Sequence, residues 1–174
     1  MLVQRANVSF FVSRNGTIDV SINLRNVPIF EQISLAMSVS KFDSKRAPEP
    51  VGLYPHARQV GELLFLSGVG PRERGTKLIP GVNLNEAGEI ISYDIEKQCH
   101  SVFNNVKMIL EDAGSGWEKI IDVTVFLTNM KDDFKTYNRI YAEYFKNNLP
   151  CRTTVEINCL PTPIAIELKV IATV

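Results

Sequence analysis

The chain has 174 residues, 45% hydrophobic and 22% charged, which suits one soluble domain with a full core. Lys plus Arg and Asp plus Glu both number 19, so the net charge is zero and no basic excess points to nucleic acid. No apolar run approaches the roughly 18 residues needed to span a bilayer.

Residues 1–40 read differently from the rest. Val8-Ser-Phe-Phe-Val-Ser and Thr17-Ile-Asp-Val-Ser-Ile-Asn-Leu flank the turn signal Asn15-Gly16 and predict a hairpin. Pro28 to Ser38 predicts a short helix. The continuous apolar stretch of a signal peptide is missing. Arg5, Arg14 and Arg25 would suit a mitochondrial presequence, but Asp19 and Glu31 count against one. Two readings remain, a peripheral extension or a start-site artefact with translation beginning at Met37. On either, residues 1–45 stand apart from a domain over residues 46–174.

Lys41 to Pro50 is charged and proline-bearing and reads as a linker, with folded structure beginning near Val51. His56 to Val60, the Gly61-Glu62 turn and Leu63 to Gly68 predict a hairpin. A further strand is expected around Lys77–Leu84, before the turn Asn85-Glu-Ala-Gly88. Asp94 to Ala113 predicts a helix, because Ile95, Cys99, Val102, Phe103, Val106, Ile109, Leu110 and Ala113 recur at three and four. Ser92 or Asp94 can cap its start and Gly114 its end. Lys119 to Thr128 predicts a strand. Asp132 opens a second helix with Phe134, Tyr137, Ile140, Tyr141, Tyr144 and Phe145 on its apolar side.

Two strands close the chain. In the first, Val155, Ile157 and Cys159 alternate with Arg152, Thr154, Glu156 and Asn158. In the second, Ile166, Leu168 and Val170 alternate with Ala165, Glu167 and Lys169. They are expected to be antiparallel neighbours, with Glu167 nearer Glu156 than Arg152. This order of elements predicts an α+β layer, a mixed sheet with helices on one face. The other face, carrying Thr124, Thr154 and Asn158, is expected to be covered by oligomerisation. An arginine fork suits a carboxylate, and a glutamate near it can move protons or orient water.

The cysteines Cys99, Cys151 and Cys159 and the histidines His56 and His100 lack metal or disulfide spacing. Cys99 and Cys159 are expected in the core. A reducing, cytoplasmic setting fits, with no metal.

From about Arg46 to Val174 the chain resembles the RidA (reactive intermediate imine deaminase) family. The ordered motifs are Ser67-Gly68, Gln98 with Asn104-Asn105, Thr124-Val-Phe-Leu-Thr, Phe134-Lys-Thr-Tyr-Asn138 with Tyr141 and Phe145, Pro150-Cys-Arg-Thr-Thr-Val-Glu156, and Ile166-Glu167. The resemblance implies a chorismate-mutase-like fold, a homotrimer with pockets between subunits, and hydrolysis of 2-imino or enamine acids to 2-oxo acids and ammonia. It implies no metal or cofactor, while the zero net charge and the absence of a long apolar run leave no nucleic-acid or membrane partner expected. It further implies that Arg152 binds the substrate carboxylate, that Glu167 handles water, and that Tyr54, Ser67, Gly68 and Asn138 line the pocket.

The chain departs from the common pattern. Thr154 stands where many relatives carry cysteine, Val69 replaces a polar residue, and Gly52-Leu53-Tyr54 precedes Pro55-His56. Tyr54-Pro-His56, Ser67-Gly68 followed by Arg72, and Arg152-Thr-Thr-Val look more like the 2-aminomuconate deaminase branch. On that reading Arg72 or Arg74 supplies a second cation, His56 can donate a proton, and the Gly68 and Thr154 backbone can assist. Each residue also has a plain reading. Arg152 could pair with Glu156 or Asp122, Glu167 could face solvent, Tyr54 and His56 could pack, and Arg72 and Arg74 could be solvated. The functional expectation is therefore a deaminase of 2-aminomuconate or a similar acid. Its rivals are a broad-range imine deaminase and a trimeric carboxylate-binding protein without turnover.

Overall fold

The computed structural model describes residues 39–174 and, ahead of them, the strands of residues 7–12 and 18–23. β1 (Asn7–Val12) and β2 (Ile18–Asn23) pair antiparallel with Val12 opposite Ile18, as the Asn15-Gly16 signal predicts. The turn itself and the helix expected over 28–38 lie outside the described residues. β1 and β2 belong to one unit and residues 39–174 to another.

The second unit holds β3 (Val39–Phe42), β4 (Ala57–Val60), β5 (Leu63–Leu66), β6 (Val82–Leu84), β7 (Ile90–Tyr93), α1 (Ile95–Asp112), β8 (Ile120–Leu127), α2 (Met130–Phe145), β9 (Cys151–Glu156) and β10 (Ile166–Thr173). Six strands form one mixed sheet in the order β3-β4-β5-β10-β8-β9. Every pairing is antiparallel except β8 with β9, which α2 joins as a parallel crossover. Both helices cover one sheet face, α1 against β10 and α2 against β8. This is the expected chorismate-mutase-like layer.

Local chemistry sets the elements. The Asp94 carboxylate accepts from the Lys97 N–H at 3.1 Å and starts α1, and Gly114, at φ +79°, ends it. Val102, Phe103, Val106 and Leu110 on α1 are fully buried against Val123, Val125 and Leu127 of β8 and Leu168 and Val170 of β10. Asn129 rather than Asp132 caps α2, its Oδ1 accepting from the Asp132 N–H at 3.2 Å.

Several expectations are corrected. Residues 41–50 are no linker: Phe42 pairs with Ala57 and Ala47 is fully buried. Ser44 donates to Asp112 at 2.6 Å, and Arg46 bridges Asp112 and Glu111. The unit therefore begins at Val39, ahead of both Val51 and residue 46. The strand expected over 77–84 shortens to β6, which among the described residues pairs with the unforeseen β7 alone. β9 and β10 are not neighbours, because β8 lies between them. Cys159 is exposed.

Candidate active site

The sheet register assigns the two chemically suggestive side chains to opposite faces. Arg152 lies opposite Val123, which lies opposite Val170, so Arg152 shares the helix-covered face. Glu167 lies three residues from Val170 along β10, an odd step, and so points to the open face. Two strand spacings and three residues separate their backbones by roughly 14 Å. Within one protomer the pair cannot meet. Thr154 follows Arg152 onto the helix side, opposite Val125, and is corrected from the open face. Thr124 remains on the open face, beside Lys169.

The Arg152 guanidinium lies between β9 and α2. Its carbon stands 4.6 Å from the Tyr141 ring centre and 5.8 Å from that of Tyr137, and Nη1 donates to Asn138 Oδ1 at 2.9 Å. Tyr137, Asn138 and Tyr141 reach it because they follow one another around one side of α2. The ion pairs with Glu156 or Asp122 do not form. Glu156 instead accepts the Met130 N–H at 2.6 Å. The other Arg152 donors remain available, and aromatic faces hold the cation without neutralising it. Beneath it, the Tyr141 hydroxyl is buried without a hydrogen-bond partner, and burial pushes the Tyr137 phenol up against the pull of Arg152 and the neighbouring Thr154 hydroxyl. Burial pushes the Tyr141 phenol up, against the pull of Arg152. The packing role expected for Tyr137 and Tyr141 is right, but their place under Arg152 was missed. The spacing of 137, 138 and 141 is the signal that could have found it.

The second cluster surrounds Glu167. Tyr54, Gly68, Gly70, Arg72, Ile164 and Glu167 line a cavity of about 120 Å³. A Cβ on Gly68 would run into the Glu167 carboxylate, so a side chain there would have to push that carboxylate aside. Burial raises the carboxyl pKa of Glu167 above its ordinary value, and Arg72 partly opposes this. Gly68 sits in a β-bulge. Phe65 pairs with Ile171 and Val69 with Leu168, leaving three residues on β5's chain against two on β10. Ser67 anchors the bulge, with its N–H to His56 O at 2.9 Å and its hydroxyl to Pro55 O at 2.6 Å.

The arginines of the following loop differ. Arg72 faces the cavity, with Nη2 on Glu49 O at 2.6 Å and its own carbonyl held by Asn105 Nδ2 at 3.0 Å. Arg74 is engaged structurally by Ala47 O at 2.7 Å and the Glu49 carboxylate at 3.2 Å. His56 is corrected as a proton donor. Its Nδ1 accepts the Ser44 N–H at 3.1 Å, so Nε2 carries the proton and donates to Pro48 O at 2.8 Å. With both ring nitrogens engaged and 7% of it exposed, His56 fastens residues 44–48 to the sheet. The motif residues Gln98 and Asn105 are scaffold as well. Gln98 accepts the Ala165 N–H at 2.8 Å just ahead of β10, and Asn105 holds the Gly70 and Arg72 carbonyls. Burial pushes the Cys99 thiol up to about 12, which removes it as a nucleophile.

Residues 44–174 match the family described as Endoribonuclease L-PSP. The RutC family protein PYRAB12510 of Pyrococcus abyssi is 36% identical over 129 residues, covering 74% of this chain and 92% of that protein. Reactive Intermediate Deaminase A, chloroplastic, of Arabidopsis thaliana is 34% identical over 149 residues, 84% of this chain and 73% of that protein. The crystal structure of E. coli TdcF with bound serine superposes with a TM-score of 0.66 at 30% identity, covering 78% of this chain and 98% of that one. Among the described residues no helix is long and apolar enough to cross a membrane, and the chloroplastic relative leaves the compartment unfixed. With these matches and the shared fold, the chain belongs to the Endoribonuclease L-PSP family, which includes the RidA proteins.

Proposed function

We propose that the protein is a cofactor-independent deaminase of 2-imino and 2-enamino acids, working as a homotrimer with each site built from two copies. The observation that carries this reading is the opposed orientation of Arg152 and Glu167, since only a second copy can bring such groups together. The open sheet face supports it, because Phe65, Phe126, Val155 and Ile171 lie there as apolar material without a cover. The Arabidopsis relative's name, Reactive Intermediate Deaminase A, points the same way.

In this mechanism Arg152 of one copy binds the substrate carboxylate through its free N–H groups, oriented by Asn138 and the tyrosine faces. Thr154 lies two residues along on the same side of β9. Glu167 of the next copy takes a proton from water as the water oxygen attacks C2 of the N-protonated imine, giving a neutral carbinolamine. Glu167 then gives that proton to the nitrogen and takes the hydroxyl proton as the C–N bond breaks, so that the carbonyl forms and nitrogen leaves as ammonia. The raised carboxyl pKa suits both halves of that exchange. Tyr54, Ser67 and Gly68 wall the reacting carbon.

The substrate we favour is 2-aminomuconate or a similar unsaturated amino dicarboxylate. Arg72 supports it, as a second cation beside Glu167 whose hydrogen-bond partner is a backbone carbonyl. The stretches Tyr54-Pro-His56 and Arg152-Thr-Thr-Val agree. A broad-range imine deaminase is the second reading, favoured by the Arabidopsis relative.

The test is subunit mixing. Arg152→Ala and Glu167→Gln are each expected to abolish ammonia release. Reassembled together at equal amounts, they should regain about a quarter of wild-type activity, the fraction of subunit junctions with both groups intact. No recovery, with mixed trimers verified by mass, sinks the composite site. Ligand binding without any ammonia release would make the protein a carboxylate binder. Faster turnover of 2-aminomuconate than of imines from small neutral amino acids, against enzyme-free controls, separates the two deaminase readings.

A further inference from the structure

Lys169 is a charged residue in the sheet that the mechanism does not use. It shares β10's open face with Glu167, two residues away. A lysine there has an obvious partner in the Glu167 carboxylate. Its Nζ instead donates to Leu66 O at 2.6 Å. Leu66 is the residue at which β5 departs from β10 into the bulge, since the last regular pair is Phe65 with Ile171. The next pair, Val69 with Leu168, exchanges two hydrogen bonds of 2.9 Å. Ser67 and Gly68 are thus held between a regular ladder on one side and an isolated pair on the other. The anchors of Ser67 run outward to Pro55 and His56 beside β4. Among the described residues, Lys169 is the side chain on β10 that ties it to the bulged segment.

We propose that Lys169 is a positioning residue. Its bond to Leu66 O fixes the bulge against β10, so that the Gly68 backbone and the Glu167 carboxylate keep their close approach. The same bond holds the ammonium on a carbonyl, leaving Glu167 unpaired for proton transfer. Lysine suits this role because its long stem can follow the sheet face to a carbonyl on the neighbouring strand. The catalytic part of the inference rests on the deaminase reading, whereas the tether does not.

The experiment compares wild type, Lys169→Met and Lys169→Arg as full chains. Amide hydrogen exchange at residues 67–69 reads the tether independently of any activity. Lys169→Met should speed exchange there at least tenfold while the β8 amides stay protected, and Lys169→Arg should restore most of the protection. Ammonia release reads the consequence: Lys169→Met should lower kcat about tenfold with KM within about twofold, because Arg152 still holds the carboxylate. Exchange at 67–69 unchanged in Lys169→Met overturns the tether. Faster exchange with kcat unchanged overturns the catalytic link, as does loss of activity through dissociation of the assembly. If wild type releases no ammonia from any imine, the deaminase reading and the catalytic link fall together, and exchange alone decides the tether.

Discussion

The carboxylate of Glu167 lies in the space that a side chain on residue 68 would occupy. Position 68 therefore controls where the candidate base can stand. Gly68→Ala should fold, since Gly68 does not have the positive φ that would itself exclude alanine. The added methyl should cost about 1–3 kcal/mol of stability through overpacking. Activity should fall further, about a hundredfold, as the carboxylate is pushed off its place. Near-normal ammonia release by a folded Gly68→Ala protein would contradict the placement of Glu167.

Burial raises the carboxyl pKa of Glu167, so the folded state holds its proton to higher pH than the unfolded chain does. Stability contributed by this group is complete at low pH. It is lost as pH rises through the interval from the ordinary glutamate value to the raised one. Glu167→Gln should raise the thermal midpoint at neutral pH, and the gain should vanish in acid. The acid limb of kcat/KM in wild type should have its midpoint above the ordinary glutamate range. An unshifted limb would mean that another group takes the proton.

Arg152 is held by two aromatic faces and one amide oxygen. Lysine keeps the charge but loses the planar fork that fits both a carboxylate and the tyrosines. A charge-assisted hydrogen bond is worth about 1.5–3 kcal/mol. Arg152→Lys should therefore raise KM roughly ten- to a hundredfold, with a smaller loss in kcat. Equal kinetics for the two proteins would show that any cation suffices.

The Tyr141 hydroxyl is buried without a partner. Leaving such a group dry costs about 1–3 kcal/mol. Tyr141→Phe should accordingly raise the unfolding midpoint in denaturant with no change in slope. Destabilisation would mean that the hydroxyl is bonded in solution, most simply by a bound water.

Periodicity made much of the fold legible. The three-four repeat of α1 and the alternation along β8 and β10 assign faces correctly, because burial acts on each side chain separately. Pairing partners carry no such mark. Nothing in the stretch from Pro150 to Ala172 says that β8 enters between β9 and β10, and the apolar Val155 of β9 lies on the open face, so that reading its apolar side as the helix-covered one puts Thr154 on the wrong face. The site residues Arg152, Asn138, Gly68 and Glu167 were found through motifs. Their division between two faces came only from the register. The charged run over 41–50 looked like a linker because its binding is done by single contacts, Ser44 to Asp112 and Arg46 to the end of α1, which leave no periodic trace.

His56 carries a consequence for experiment. With the Ser44 N–H occupying Nδ1, the ring is fixed as one tautomer, and its Nε2 proton is shielded beneath Pro48. Such a proton should persist as a separate resonance in a spectrum of the unlabelled protein. With only one other histidine in the chain, assignment reduces to a choice between two. The molecule thus carries its own gauge of whether the segment over residues 44–48 is seated, readable without attaching a dye or a spin label.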